Sequence, residues 1–214
     1  MNNLSKKLSF NLVLSSITGI YRNYFQVRRR KFGFIDPTAR VRFPILIKGI
    51  ENVFLYENTC ILGNATILAT KARFVMKMNS GAAEGLTVVT GNHPYYKGEF
   101  FRIKASKDIQ FAKEVIVEED VVLYSNVTLL AGVVIGRGAV IGSGSVCRSS
   151  IPPYAIVMGN PAKIIGFTLF PNQVIEHEIA LYPENERISL KILQDNYFKY
   201  FIKKHKEIQS FLSL

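Results

Sequence analysis

In the second half of the chain an aliphatic residue returns at every sixth position. Written in sixes from Val117, the sequence reads VEEDVV, LYSNVT, LLAGVV, IGRGAV, IGSGSV. The first place holds Val117, Leu123, Leu129, Ile135 and Ile141, and the fifth holds Val121, Val127, Val133, Ala139 and Ser145. A period of six fits neither the 3.6-residue beat of an amphipathic helix nor the two-residue beat of a half-buried strand. It predicts a solenoid in which each six supplies a short strand and a corner, and three sixes close a triangular coil. The first-place side chain points inward and stacks on its counterparts in neighbouring coils. The fifth place lies near the corner, where space is tight, so it holds small or β-branched residues. Glycine and asparagine at places two to four suit corner backbone that needs positive φ. One coil cannot bury its own face, so stability comes from stacking coils about 4.8 Å apart.

An earlier block, YENTCI, LGNATI, LATKAR, FVMKMN, keeps a similar beat from Tyr56 to Asn79, and a looser one starts at Ile35. Residues 80–113 lose it, and the segment 74–86 reads as an irregular coil. The stretch "YYKGEFFRIKASKDIQFAK" predicts a projecting loop at about 94–113, and loops of that length in compact domains usually carry function. Pro152 and Pro153 donate no N–H and so end the regular coils. From Thr168 apolar residues recur three or four apart, as in Ile192, Tyr197, Phe201 and Ile208, which predicts helices divided at Pro183 and capping the open end of the solenoid. The chain thus reads as a basic N-terminal helical segment (1–32), a solenoid (33–167) and a C-terminal helical extension (168–214).

Composition narrows the classes. A chain of 214 residues that is 48% hydrophobic can bury a core and is not a disordered polymer. The two cysteines, Cys60 and Cys147, form no CxxC and no Cys/His cluster, so neither a disulfide framework nor a zinc site is expected. Both fall on inward phases and read as small core residues rather than acyl-enzyme nucleophiles. That usage suits a reducing, cytoplasmic setting. The net charge of +11 asks for an anionic partner. Residues 1–35 hold Lys6, Lys7, Arg22, Arg28, Arg29, Arg30 and Lys31 and no acid. With no RNA-binding aromatic motif, zinc finger or helix-turn-helix, nucleic acid is not the expected partner. The segment "FNLVLSSITGIYRNYF" (10–25) is too short and polar to span a bilayer and lacks the cleavage site of a signal peptide. Two readings stand for it: a helix packed on the rest of the protein with a solvated basic end, or an amphipathic helix with a basic tail lying peripherally on an anionic membrane.

The coils end in "SVCRSSIPPYAIVMGNPAKIIGF" (145–167). Together with "NVTLLAGVVIGRGAVIGSGSV", the double proline and GNPAK (159–163) closely resemble the end of sugar O-acetyltransferases and related acyl-CoA transferases of the hexapeptide-repeat family, over about residues 50–167. The resemblance implies an all-β solenoid, a left-handed parallel β-helix, with an N-terminal helix and a C-terminal helical extension. Its hand is an exception to the usual right-handed crossover. It also implies a cytoplasmic homotrimer in which acetyl-CoA lies in a groove between subunits, with no metal.

In that family a long excursion follows the catalytic histidine and shapes the acceptor pocket. His93, in "LTVVTGNHPYYKGEFF" (86–101) and followed by Pro94, matches its place in chain order. An alcohol is a poor nucleophile toward a thioester, so a base must take its proton as attack proceeds. Histidine is the residue type whose ordinary titration suits that task. The oxyanion needs an N–H donor, for which Gly91 is one candidate, and Glu84, Glu99 or Asn92 would orient the ring. The plainer reading of His93 is a loop histidine satisfied by its neighbours. His177 and His205 lie in the predicted helices, so the three-histidine zinc site of a hydratase cannot form on the coils. The resemblance implies acceptor contacts from Asn92, Tyr95, Tyr96 and Glu99. Tyr95, Tyr96, Phe100 and Phe101 suit stacking on a sugar ring, or equally a subunit contact. It places cofactor contacts at Ser125, Ser143 and Gly144, and phosphate contacts at Arg148, Ser149 and Lys163; the plainer reading of the last group is solvated charge. Many relatives have Trp-Ile-Gly where this chain has Val122-Leu123-Tyr124, which sets a bulky ring at the expected groove. The implied function is acetyl transfer from acetyl-CoA to a hydroxyl of a sugar or surface-polysaccharide precursor. The alternatives are N-acetylation of an amino sugar, or a non-catalytic solenoid used as a binding module.

Overall fold

The computed structural model describes residues 12–21, 27–104 and 111–213. Residues 12–21 form a helix, α1. The body is a three-sided β-solenoid. Its first face stacks β1 (Phe34–Ile35), β4 (Val53–Leu55), β7 (Phe74–Met76), β10 (Val115–Val117) and β13 (Val134–Ile135). The second stacks β2 (Arg40–Val41), β5 (Cys60–Ile61), β8 (Gly81–Ala82), β11 (Val122–Leu123), β14 (Val140–Ile141) and β16 (Ala155–Met158). The third stacks β3 (Ile45–Lys48), β6 (Ala65–Leu68), β9 (Thr87–Val89), β12 (Thr128–Leu129) and β15 (Val146–Cys147). These strands pair in parallel; β17 (Lys163–Phe167) then turns back antiparallel on β16. One circuit takes 20 residues from Ile35 to Leu55, 21 from Leu55 to Met76 and 18 from Val117 to Ile135.

The inward stack is the expected one in the later coils. Val117, Leu123, Leu129, Ile135, Ile141 and Cys147 are at most 1% exposed, and the fifth-place residues Val121, Val127, Val133, Ala139 and Ser145 are buried with them. Three residues after each inward side chain the backbone turns left-handed: Asp120, Asn126, Gly132, Gly138 and Gly144 all have positive φ. Asn58, Asn64, Asn79 and Gly85 repeat that spacing after Leu55, Ile61, Met76 and Ala82. Short polar side chains or glycine tolerate this conformation, so each corner fixes the phase of the strand before it.

That phase corrects the earlier frame. In the block read from Tyr56 the inward residues are Leu55, Ile61 and Ile67, one position ahead of the expected places. Tyr56 is 42% exposed, and Cys60 is half-buried on the outer side of the second face rather than in the core. A slip of one residue moves every side chain of a strand to its other face. Residues 74–89 are also regular rather than distorted, since β7, β8 and β9 hold register with the strands on either side.

The C-terminal extension packs on the end of the solenoid through α3 (Pro171–Leu181), α4 (Leu190–Tyr197) and α5 (His205–Leu212). Val174 and Glu178, one turn apart on α3, are both buried. Glu178 is fully enclosed and accepts from the Tyr154 hydroxyl at 3.0 Å, from Arg137 Nη1 at 3.2 Å and from the Ile188 amide. Arg137 also pairs with Glu119 at 3.2 Å and stacks on the Tyr182 ring, 4.0 Å from its centroid. A buried carboxylate is tolerated only when its lone pairs are so occupied. Burial first, and then the Glu178 charge, push the Tyr154 phenol well above its ordinary range.

Candidate active site

The regular coil runs to Val89 and resumes at Lys113. The Lys113 amide donates to the Thr90 carbonyl at 2.9 Å, so the excursion leaves and rejoins the solenoid at one point, on the corner between the third and first faces. His93 stands three residues out from Thr90, so it lies within about 11 Å of that corner. Pro94 is buried while His93 itself is exposed. The imidazole meets the Phe101 ring edge-on, with centroids 6.4 Å apart. Phe101 opens α2 (Phe101–Lys104), and its ring lies nearly parallel to Tyr95, at 14° and 6.5 Å. Tyr95 and Phe100 are each 80% exposed. A histidine thus stands among aromatic rings, at the edge of the scaffold and open to an incoming molecule. Asn92 and Glu99 are exposed and Tyr96 half-buried on the same excursion.

The residues expected at the donor divide into two groups. Ser125 and Gly144 meet directly, the Gly144 amide donating to the Ser125 carbonyl at 2.9 Å, and Ser143 precedes Gly144 on the same corner. That corner joins the second and third faces. Tyr124, half-exposed, stands beside Ser125. Arg148 and Ser149 follow β15 on the corner below the excursion, across the width of the third face, about 13 Å for a four-residue span. Ser149 and Lys163 line one cavity of about 360 Å³, whose wall includes Ile151, Tyr200, Lys204 and Phe211. Lys163 Nζ lies 5.1 Å from the Phe211 centroid, an ammonium over an aromatic face. The side chains of Tyr200, Lys204 and Phe211 are contributions that the sequence did not disclose. The sequence placed them only in the helical extension, and the structure splits them between the 198–202 turn of helix, the N-cap of α5 and α5 itself as the extension folds back onto Lys163.

Cys147 lies under this site on β15 and is fully buried. Burial pushes its thiol up to about 12, so it stays protonated and cannot serve as a nucleophile near neutral pH. His177 and His205 sit in the extension, edge-on to Tyr154 and Phe201 respectively. Neither joins His93.

The family model described as bacterial transferase hexapeptide (six repeats) matches residues 114–149. No curated protein matches the chain. Among solved structures, similar folds include a maltose O-acetyltransferase from Clostridium difficile 630, at 22% identity and a TM-score of 0.61, covering 72% of this chain and 84% of that one. A hexapeptide-repeat acetyltransferase from Vibrio cholerae O1 biovar eltor, complexed with acetyl coenzyme A, matches at 23% identity and a TM-score of 0.62, covering 71% and 83%. A galactoside acetyltransferase in complex with coenzyme A matches at 19% identity and a TM-score of 0.54, covering 71% and 72%. Residues 114–149 thus carry the transferase hexapeptide repeat, and the solenoid shares the fold of these solved acetyltransferases.

Proposed function

We propose that the protein is an acetyl-CoA-dependent acetyltransferase that modifies a hydroxyl of a sugar or surface-glycan precursor. One observation carries the reading: an exposed histidine, followed by a buried proline and edge-on to Phe101, on an excursion that interrupts the solenoid at a single corner. In this reading His93 accepts the proton of the acceptor hydroxyl as the oxygen attacks, then passes it to the departing thiolate. Acetyl-CoA supplies the acyl thioester. A backbone amide of the glycine-bearing segment at Gly91 faces the developing oxyanion. Tyr95 and Phe101 offer flat apolar faces to the C–H side of a sugar ring, with Asn92, Tyr96 and Glu99 around them.

The donor requirements fit the residues present. Lys163 and Lys204 set two cations at the cavity that Phe211 and Tyr200 help line, chemistry suited to the phosphates and base of a nucleotide. Arg148 and Ser149 adjoin it. Ser125, Ser143 and Gly144 stand on the far edge of the third face. The two groups stand about 13 Å apart, a span that an extended donor covers when it lies in a groove shared with a neighbouring subunit. The outer side of the first face is suited to that association. Phe34, Phe54, Val75, Ile116 and Val134 align across it in register, and Phe34 is 42% exposed. We therefore assign a homotrimer with composite sites.

The test is thiol release from acetyl-CoA over sugars, amino sugars and nucleotide sugars, with calorimetry of coenzyme A alongside. His93→Ala is expected to lower kcat about 10²–10⁴-fold while coenzyme A still binds. Undiminished turnover in that variant removes His93 as the base. Acetylation of amino sugars alone replaces the O-transfer reading, and failure of wild type to bind coenzyme A leaves a binding module.

A further inference from the structure

The N-terminal segment takes no part in the chemistry above. In α1 the side chains of Leu12, Val13, Leu14, Ile17, Ile20 and Tyr21 are between 50% and 63% exposed. At 100° per residue, Val13, Leu14, Ile17, Ile20 and Tyr21 fall within an arc of about 120°. Ser15, Thr18 and Gly19 lie on the other side. No charged residue occurs between positions 12 and 21. The helix also satisfies its own hydroxyls. Ser15 and Ser16 donate to the Leu12 carbonyl at 2.9 and 2.8 Å, and Thr18 donates to Leu14 at 2.8 Å. A helix whose polar side chains are bonded internally loses little on entering an apolar medium.

Charge follows the helix in sequence. Arg28, Arg30 and Lys31 are exposed, while Arg29 is held by the Ala39 and Asp36 carbonyls at 3.0 and 2.6 Å. No acid precedes Asp36. A second copy docked on this segment would bring a further set of cations to the same place, against which stand only Asp36, already beside Arg29, and Glu51, beside Lys31. An anionic lipid surface supplies the missing charge, and its headgroup boundary accepts an uncharged apolar face.

We propose that α1 and the Arg28–Lys31 cluster form a peripheral anchor for anionic membrane, α1 lying in the headgroup region and the cations on the lipid phosphates. Among the described residues no helix is long and apolar enough to cross a membrane, so the contact is interfacial. The anchor stands independently of acetyl transfer.

Full-length protein is mixed with vesicles of phosphatidylcholine alone, or with about a third phosphatidylglycerol, and sedimented. Wild type is expected to pellet with the anionic vesicles and to be released by high salt. R28Q/R30Q/K31Q, which keeps the bonded Arg29, should bind at least about tenfold more weakly. I17D/I20D should also lose binding while its thermal unfolding matches wild type, since these side chains are exposed. The chain has no tryptophan, so Ile17→Trp gives a single reporter whose emission should shift to the blue on anionic vesicles alone. Equal pelleting with neutral vesicles, or unchanged binding of the triple variant, overturns the proposal. So does an unshifted reporter, or a fall in oligomer mass of I17D/I20D without loss of vesicle binding.

Discussion

Arg137, on a corner of the solenoid, meets the fully buried Glu178 of α3 at 3.2 Å across 41 positions of sequence. The pair fastens the extension to the coils, and the extension carries Tyr200, Lys204 and Phe211 to the cavity beside Lys163. Removing one partner of a buried pair strands the other, which costs far more than the net value of the pair. Glu178→Ala should therefore destabilise the protein by about 3 kcal/mol, lowering Tm by roughly 6–12 °C. Differential scanning calorimetry checks this. A change under about 1 kcal/mol would show that Glu119 holds Arg137 alone.

Lys163 offers a split between binding and chemistry. If it contacts the nucleotide end of the donor, Lys163→Ala should raise KM for acetyl-CoA about tenfold and leave kcat near wild type. KM for acetyl-pantetheine, which has no nucleotide, should not move. Equal effects on both donors would assign Lys163 a purely structural place over Phe211.

Two glycines with nearly the same positive φ should respond differently. Gly49 has φ of +74°, and a Cβ there would lie 2.3 Å from the Ala69 carbonyl oxygen. Gly144 has φ of +72° with nothing within 4 Å of a Cβ. Gly144→Ala should cost about 1 kcal/mol, the left-handed penalty alone. Gly49→Ala adds a backbone clash and should cost at least about 3 kcal/mol. Denaturant titrations of the two variants make the comparison.

The buried thiol predicts an alkaline effect. Unfolded Cys147 ionises near its ordinary value of 9.0, whereas the folded thiol does so only at about 12. The stability this confers is full below the lower value and is lost as pH rises through the higher. Stability measured across that window should fall more steeply for wild type than for Cys147→Ala. The same thiol should resist alkylation in the native protein and react once it is unfolded. Labelling of Cys147 without unfolding would contradict its burial.

The period of six was sufficient, by itself, to give the solenoid, because its contacts are between equivalent places in successive coils. It also gave the identity of the inward residues from Val117 to Cys147. The break in that period marked the excursion and its histidine. What the period could not set was the phase of the earlier block, where aliphatic residues occupy both sides of the strands. Leu55 and Ile61 are inward because Asn58 and Asn64 take the left-handed corner three residues later, a cue present in the sequence but weaker than the aliphatic beat. Tertiary structure alone joined Gly144 to Ser125, separated them from Ser149 and Lys163 by the width of a face, and enclosed Glu178. Those relations depend on where stacked corners and a folded-back extension meet in space, and local periodicity holds no information about contacts between elements of different period.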